Sequence, residues 1–402
     1  MVLAVTFTTY LTKMLDVIQK ASCTTHLVSD ESEAIQMFIF QNNRGKRPSN
    51  LEIIKAQFMF SAHLYGGAEK DELIKEIKNR FEKIYKSIVL IEYQIDEDDV
   101  LLYTLRVYFN SLWQENAIDK INKILSDSDP ILFVKKFTQC LATSFEHLTT
   151  FFGKSERENM PVHSLITLGG LSVAIPFIIK AYTYDLNKAQ IGELCTTLES
   201  IVLRDCLVGT RADITSRLNE VYKQFTADNC DIQPIINAVI ALKNAPSNSW
   251  LGYWNNEEFK RAIQGQISHS IAKYLLWKYE CFLESQGKSG YALTRFDKIT
   301  DPELEHIAPQ TPTKNEPVAA GYCEYDEEFL HEYIDCIGNY LLLSKSHNCA
   351  VGNKPFDVKL MTYTHLAQQR EVQEMSALKK QWDKELIDKR KTKILEFIQN
   401  SF

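Results

Sequence analysis

Glycine and proline are scarce in this chain, with 15 and 11 copies in 402 residues. That scarcity argues against a turn-rich all-β protein and favours helices. Cysteine occurs nine times, at positions 23, 140, 195, 206, 230, 281, 323, 336 and 349, but never as C-x-x-C. An odd count at wide spacing supports neither a disulfide framework nor a cysteine-based zinc knuckle. Positive charge is not in excess either: 45 Lys+Arg stand against 52 Asp+Glu, a net charge of −7. A uniformly basic nucleic-acid coat protein is excluded, while a local basic patch is not. Long apolar runs are also missing. The most apolar stretch, residues 165–179, contains Gly169, Gly170 and Pro176 and falls short of the ~20 residues of a membrane span. It reads as a buried helical segment broken at Gly-Gly, with no membrane among the partners. The N-terminus has neither a basic n-region nor a small-residue cleavage site, so the expected compartment is cytoplasmic.

What is present is core-forming material. Hydrophobic residues make up 45% and charged residues 24%, enough apolar surface for two to three domains. Residues 71–91 set Leu73, Ile74, Ile77, Phe81, Ile84, Tyr85 and Ile88 on one stripe, the 3.6-residue period of an amphipathic helix. Acid-first i,i+4 pairs such as Glu76–Arg80 and Glu82–Lys86 support the opposite face. Similar patterns predict helices over 100–113, 130–152, 188–207, 215–225, 232–242 and 257–284. The acidic run 96–99 is placed to open the first of these at its positive dipole end. After Glu284 the composition turns to Gly, Pro, Ser and Thr, a loop-and-short-strand signature. Residues 337–343 then read as a strand, 344–348 as a polar turn, and 376–398 as a last helix stacking Leu378, Trp382, Leu386, Ile394 and Ile398. The expected fold is mainly α: a helical bundle region followed by a small α+β domain. Its divisions are 1–60, 61–290 and 291–402.

The chemistry-bearing residues gather in the last segment. Glu305 and His306 stand side by side in a short β-like stretch, where neighbouring side chains point to opposite faces. They share one pocket only if the strand end is bent. Asn339 opens the apolar run, Asn348 follows nine residues later, and Asn353 and Lys354 lie just beyond.

Glu305-His306-Ile307-x-Pro309, then Gly338-Asn339-x-Leu341-Leu342-Leu343, then Asn348 resemble an HNH nuclease of the ββα-metal type. That resemblance implies hydrolysis of DNA phosphodiester bonds. His306 would take a proton from water, a task for a side chain that titrates near neutrality. Glu305 and Asn348 would hold one Mg²⁺ (or Mn²⁺) through oxygen, with water and phosphate at its other positions. His347 is the alternative to Asn348 as metal ligand. Asn339 would orient His306 through its amide, and Lys354 would contact phosphate.

Two features depart from the pattern. Asn339 lies 33 residues after His306, which requires an insertion between the strands. The insertion carries six acids and no Lys or Arg over 324–335, and this run reads as a solvated helical face. Cys323, Cys336 and Cys349 read as buried thiols.

Near the other end, Ser49-x-x-Glu52 is a capping box, preceded by a basic loop at Arg44, Lys46 and Arg47. Ala34, Phe40, Asn43-Arg44-Gly45-Lys46, Leu51-Glu52 and Lys55-Ala56 resemble the end of the nucleotide-binding domain of GmrSD-type restriction enzymes. Those proteins join a ParB/sulfiredoxin-like NTPase domain to a helical region and a C-terminal HNH domain. Trp382, Ile387, Arg390 and Leu395 resemble the close of that last domain. The family's Asp-Gly-Gln-Gln-Arg string is not in this sequence, so NTP chemistry is not expected from this chain. The partners implied are DNA and a separate NTPase chain or domain, with the oligomeric state left open. The competing expectation is a non-catalytic helical subunit that binds DNA or a partner.

Overall fold

The computed structural model describes residues 2–22, 48–91, 94–114, 116–127, 129–286, 293–311, 325–378 and 381–402. Cys23, Ala34, Phe40, Asn43 and the basic loop at Arg44, Lys46 and Arg47 lie outside the described residues, as does Cys323. The architecture is mainly α, as expected, with one two-stranded antiparallel sheet among the described residues. No described helix is long and apolar enough to cross a membrane. The chain divides into two compact units, Met1–Phe81 with Ile118–Lys136 and Glu82–Ala117 with Phe137–Phe402.

The first unit contains α1 (Val2–Lys20) and α2 (Asn50–Tyr65). The capping box at the start of α2 forms as read: the Ser49 side chain accepts from the Glu52 N–H, and Glu52 accepts from the Ser49 N–H. Helix α3 (Lys70–Ile91) buries Leu73, Ile74, Ile77, Phe81 and Ile84, its predicted stripe. Phe58 of α2 meets Phe133 edge-on at 6.2 Å.

The second unit holds α4 (Glu97–Tyr108), with Asp96 as N-cap. Of the next two helices, α5 (Ala117–Asp127) belongs to the first unit from Ile118 on, and α6 (Pro130–Phe151) to the second from Phe137 on. Helix α7 (Met160–Leu168) ends where Gly169 and Gly170 take φ of +76° and +63°, a conformation that suits glycine. The predicted break therefore separates α7 from α8 (Ile175–Thr183). The long α9 (Lys188–Val208) packs on α7. Behind it come α10 (Ile214–Gln224), α11 (Gln233–Lys243), α12 (Asn256–Gln264) and α13 (His269–Ser285). The single helix predicted over 257–284 is thus two helices, because Gly265 closes α12 and Ser268 opens α13.

His163 of α7 is buried, edge-on to Trp277 of α13 at 5.4 Å, with Nδ1 3.3 Å from the Arg295 guanidinium. Burial, and then the Arg295 charge, push its pKa down to about 4. The folded value lies below the ~6.5 of an unfolded histidine. The associated stability is whole above about pH 6.5 and is lost as pH falls towards the folded value. Unfolding free energy should therefore drop by about 2 kcal/mol between pH 7 and 5. Urea titrations of wild type and His163→Phe at both pH values check this, since the variant should lose that part of the slope.

Helix α13 is the base on which the small sheet rests. Strand β1 (Pro302–His306) pairs antiparallel with β2 (Tyr340–Ser344), Glu305 opposite Leu341 and His306 opposite Tyr340. β2 runs directly into α14 (Lys345–Val351), whose N-terminus is capped by the Ser344 hydroxyl. The predicted polar turn at 344–348 is therefore the first turn of a helix. Cys349 on this helix is exposed rather than buried, while Cys336 is buried. Helices α15 (Phe356–Leu360), α16 (Ala367–Ser376) and α17 (Lys384–Ser401) complete the unit. The last predicted helix, 376–398, begins only at Lys384, and Leu378, between α16 and α17, is fully exposed instead of stacked.

One buried polar contact and one close approach tie these pieces together. Both oxygens of Glu280 on α13 accept N–H groups at the start of α16, from Ala367 (2.6 Å) and Gln368 (2.9 Å), so one helix caps another. Gly338, just before β2, lies against α17 so closely that a Cβ there would come 2.3 Å from the Ile387 carbonyl oxygen. No larger residue fits without moving α17.

Candidate active site

The end of β1 separates its two chemical side chains as strand geometry demands. Glu305 is buried on one side, where its Oε1 accepts the Lys359 ammonium at 2.5 Å and the Tyr363 hydroxyl at 3.3 Å. His306 lies on the other, with Nε2 3.0 Å from Asp335 Oδ1 and its ring edge-on to Tyr340 at 4.9 Å. The Tyr340 hydroxyl donates to the same Asp335 oxygen at 3.1 Å. Adjacent residues of the motif thus do not converge on one pocket. Lys359, on α15, links the two sides through the backbone, since its ammonium also donates to the His306 carbonyl at 2.8 Å.

Burial dominates the electrostatics of both sides. It raises the Glu305 pKa and lowers that of Lys359, each against the pull of its partner. Burial likewise lowers the His306 pKa, opposed by the Asp335 carboxylate.

Asn339 is fully buried, in the turn that leads into β2. Its amide does not reach the His306 ring, contrary to the sequence expectation. Oδ1 accepts the Ala308 N–H at 2.8 Å, while Nδ2 donates to the carbonyls of Ala308 (3.2 Å) and Ile334 (2.9 Å). Both amide hydrogens are thereby committed to backbone. Asn339 therefore acts on His306 at one remove, by fixing the chain two residues beyond it.

The other expected residues are placed less centrally. Asn348 is half-buried on α14, and Lys354, just beyond that helix, is exposed and donates to the Ala350 carbonyl at 2.7 Å, closing the end of α14. His347 has Nε2 2.9 Å from the Thr362 hydroxyl, with its ring 6.4 Å from that of Tyr363. Glu305 and Asn348 are hard oxygen donors of the kind Mg²⁺ takes. Yet Glu305 is already paired with an ammonium, and among the described residues no three His, Cys, Asp or Glu side chains converge as a metal site. The arrangement is not that of a preformed divalent-cation site.

Asp335, Lys359 and Tyr363 escaped the sequence reading. They lie 29, 54 and 58 residues from the side chains they contact. No local periodicity marks any of them.

Together the fold and site define a mainly α chain whose last segment carries a β-β-α unit with a histidine at the end of its first strand. Residues 250–397 match the family model described as GmrSD restriction endonucleases, C-terminal domain. Over that segment the chain is similar to the C-terminal domain of GmrSD-type restriction endonucleases. The match begins within the helical region that precedes β1, and includes α12, α13 and the sheet that rests on α13. No curated protein matches the chain.

Proposed function

We propose that this chain is an HNH-type endonuclease that hydrolyses DNA phosphodiester bonds, acting in the restriction of foreign DNA. The observation that carries the reading is His306, held at the end of β1 in a β-β-α unit inside the matched segment. A histidine is suited to move a proton near neutral pH. His306 accepts a proton from water, and the water oxygen forms a bond to phosphorus. The bond from phosphorus to the 3′ oxygen breaks, and that oxygen takes a proton from solvent. The products are a 5′-phosphate and a 3′-hydroxyl.

Dependence on Mg²⁺ or Mn²⁺ through Glu305 and Asn348 belongs to this proposal on the family resemblance, and requires Glu305 to exchange Lys359 for the ion. A separate NTPase chain or domain as partner rests on the same resemblance.

Nicking of supercoiled plasmid by the purified chain tests the proposal, with Mg²⁺, Mn²⁺ or chelator, each with and without NTP. Cleavage is expected in a divalent-metal arm, and His306→Ala should lower its rate by about 100-fold or more. A folded chain that binds DNA yet cuts it in no arm would leave the non-catalytic subunit as the better reading.

A further inference from the structure

We propose that Asp335 is the positioning residue for His306. It holds the ring by an Nε2–H···Oδ1 bond, so that Nδ1 is the nitrogen that takes the proton from water. The inference rests on the nuclease reading for its chemistry, but not for its geometry.

A neutral imidazole carries its proton on one nitrogen and accepts at the other, and a partner that can only accept decides which. An ionised carboxylate at 3.0 Å from Nε2 is such a partner. The same oxygen takes the Tyr340 hydroxyl, and the Tyr340 ring closes one side of the imidazole. Tyr340 also sits opposite His306 in the strand register. The imidazole is therefore gripped at one nitrogen and packed on an edge, with 15% of its side chain still exposed.

Asp335 is itself held on both sides. The Ile334 carbonyl accepts from Asn339 Nδ2, and the Cys336 Sγ accepts from the Gly338 N–H. Upstream, Phe329 is fully buried, and the bond from the Ile334 N–H to the Phe329 carbonyl closes a wide helical turn. The acidic run thus ends in a turn whose near end buries Phe329 and whose far end is held by Gly338 and Asn339, the two residues before β2. Its last acid is delivered to the histidine. The segment between the strands then has a use: it supplies an acid to the side of β1 on which His306 lies.

The test uses the full chain with ¹⁵N-labelled histidine and three variants, Asp335→Asn, Asp335→Glu and His306→Ala, the last to assign the His306 signals. Ring nitrogen shifts in the wild type should show the Nε2–H tautomer of His306. In Asp335→Asn the amide can donate to Nε2 instead, and the population should move towards Nδ1–H. Its kcat for duplex cleavage should fall about 100-fold, with KM within about 2-fold, because substrate binding does not use Asp335. Asp335→Glu keeps the acceptor and should recover at least about a tenfold part of that loss. A thermal melt of each variant checks folding. A wild-type ring in the Nδ1–H form overturns the proposal, as does an Asp335→Asn enzyme with unchanged kcat. If the wild type cuts no DNA, the nuclease reading fails, and the spectrum alone still decides the tautomer.

Discussion

Replacing Arg390 by methionine is expected to cost about 3–5 kcal/mol of stability and to lower cleavage by the molecules that remain folded. Arg390 on α17 is fully buried. Its Nε donates to Glu371 at 3.3 Å, and its Nη1 to the carbonyls of Gly338 (3.1 Å) and Tyr340 (2.5 Å). Methionine restores much of the volume but leaves two buried carbonyls without that donor and weakens the neutralisation of Glu371. Tyr279 and Lys393 still reach that carboxylate, which keeps the loss from being larger. Lysine is not a conservative replacement. One ammonium cannot span a carboxylate and two carbonyls as a planar fork does, so Arg390→Lys should lose roughly half as much. Urea unfolding measures the stability. Cleavage per folded molecule measures the second effect, because the two carbonyls flank Asn339, and Asn339 fixes the backbone beyond His306. Stability within about 0.5 kcal/mol of wild type in Arg390→Met would show that this buried fork is not a major support.

The contrast between Arg390 and His306 shows where the sequence was legible. His306, Glu305, Asn339 and Asn348 stand out in the sequence because each belongs to a short run whose spacing reflects local structure: a strand end, a turn, a helix start. Even the separation of Glu305 from His306 follows from strand alternation, with no need of coordinates. The partners were not readable in the same way. Asp335 closes a run of acids that differs in no local respect from a solvated helix face. Only the burial of Phe329 and Ile334 distinguishes the two cases, and that burial depends on α17 and the sheet. Lys359 sits in a five-residue helix too short to show a periodic pattern. Its burial is decided by a carboxylate 54 residues upstream.

The fold divides along the same line. Helices with an unbroken apolar stripe, such as α3 and α9, were placed within a residue or two. Helix breaks were missed where the apolar pattern continues across them. Between α12 and α13 a single glycine ends one amphipathic face just before another begins. Before α17, Leu378 looked like part of a stripe because it is apolar at a suitable spacing, yet it meets nothing and is fully exposed. Periodicity reports where a face could be buried. Whether a partner comes to bury it is a long-range matter.

Removing a second buried cation, in Lys359→Met, is expected to be as damaging and more informative. The Lys359 and Glu305 side chains are 1% and 5% exposed, joined at 2.5 Å. Without the ammonium, Glu305 keeps only the Tyr363 hydroxyl among its bonds described above, and an uncompensated carboxylate remains in the core. A loss of about 3–5 kcal/mol follows from that alone. The direction of both pKa shifts adds a second expectation. Burial lifts Glu305 and depresses Lys359 despite their contact, so desolvation outweighs their attraction. A neutral pair in the same space should therefore be better tolerated than either half-pair. The double variant Lys359→Met with Glu305→Gln should regain at least about 2 kcal/mol over Lys359→Met. A double-mutant cycle by urea unfolding gives the coupling directly. Cleavage should not return with stability, because the double variant still lacks the bond from Lys359 to the His306 carbonyl and the Glu305 carboxylate. A double variant no more stable than Lys359→Met would mean that the lysine supports the fold by packing rather than by charge.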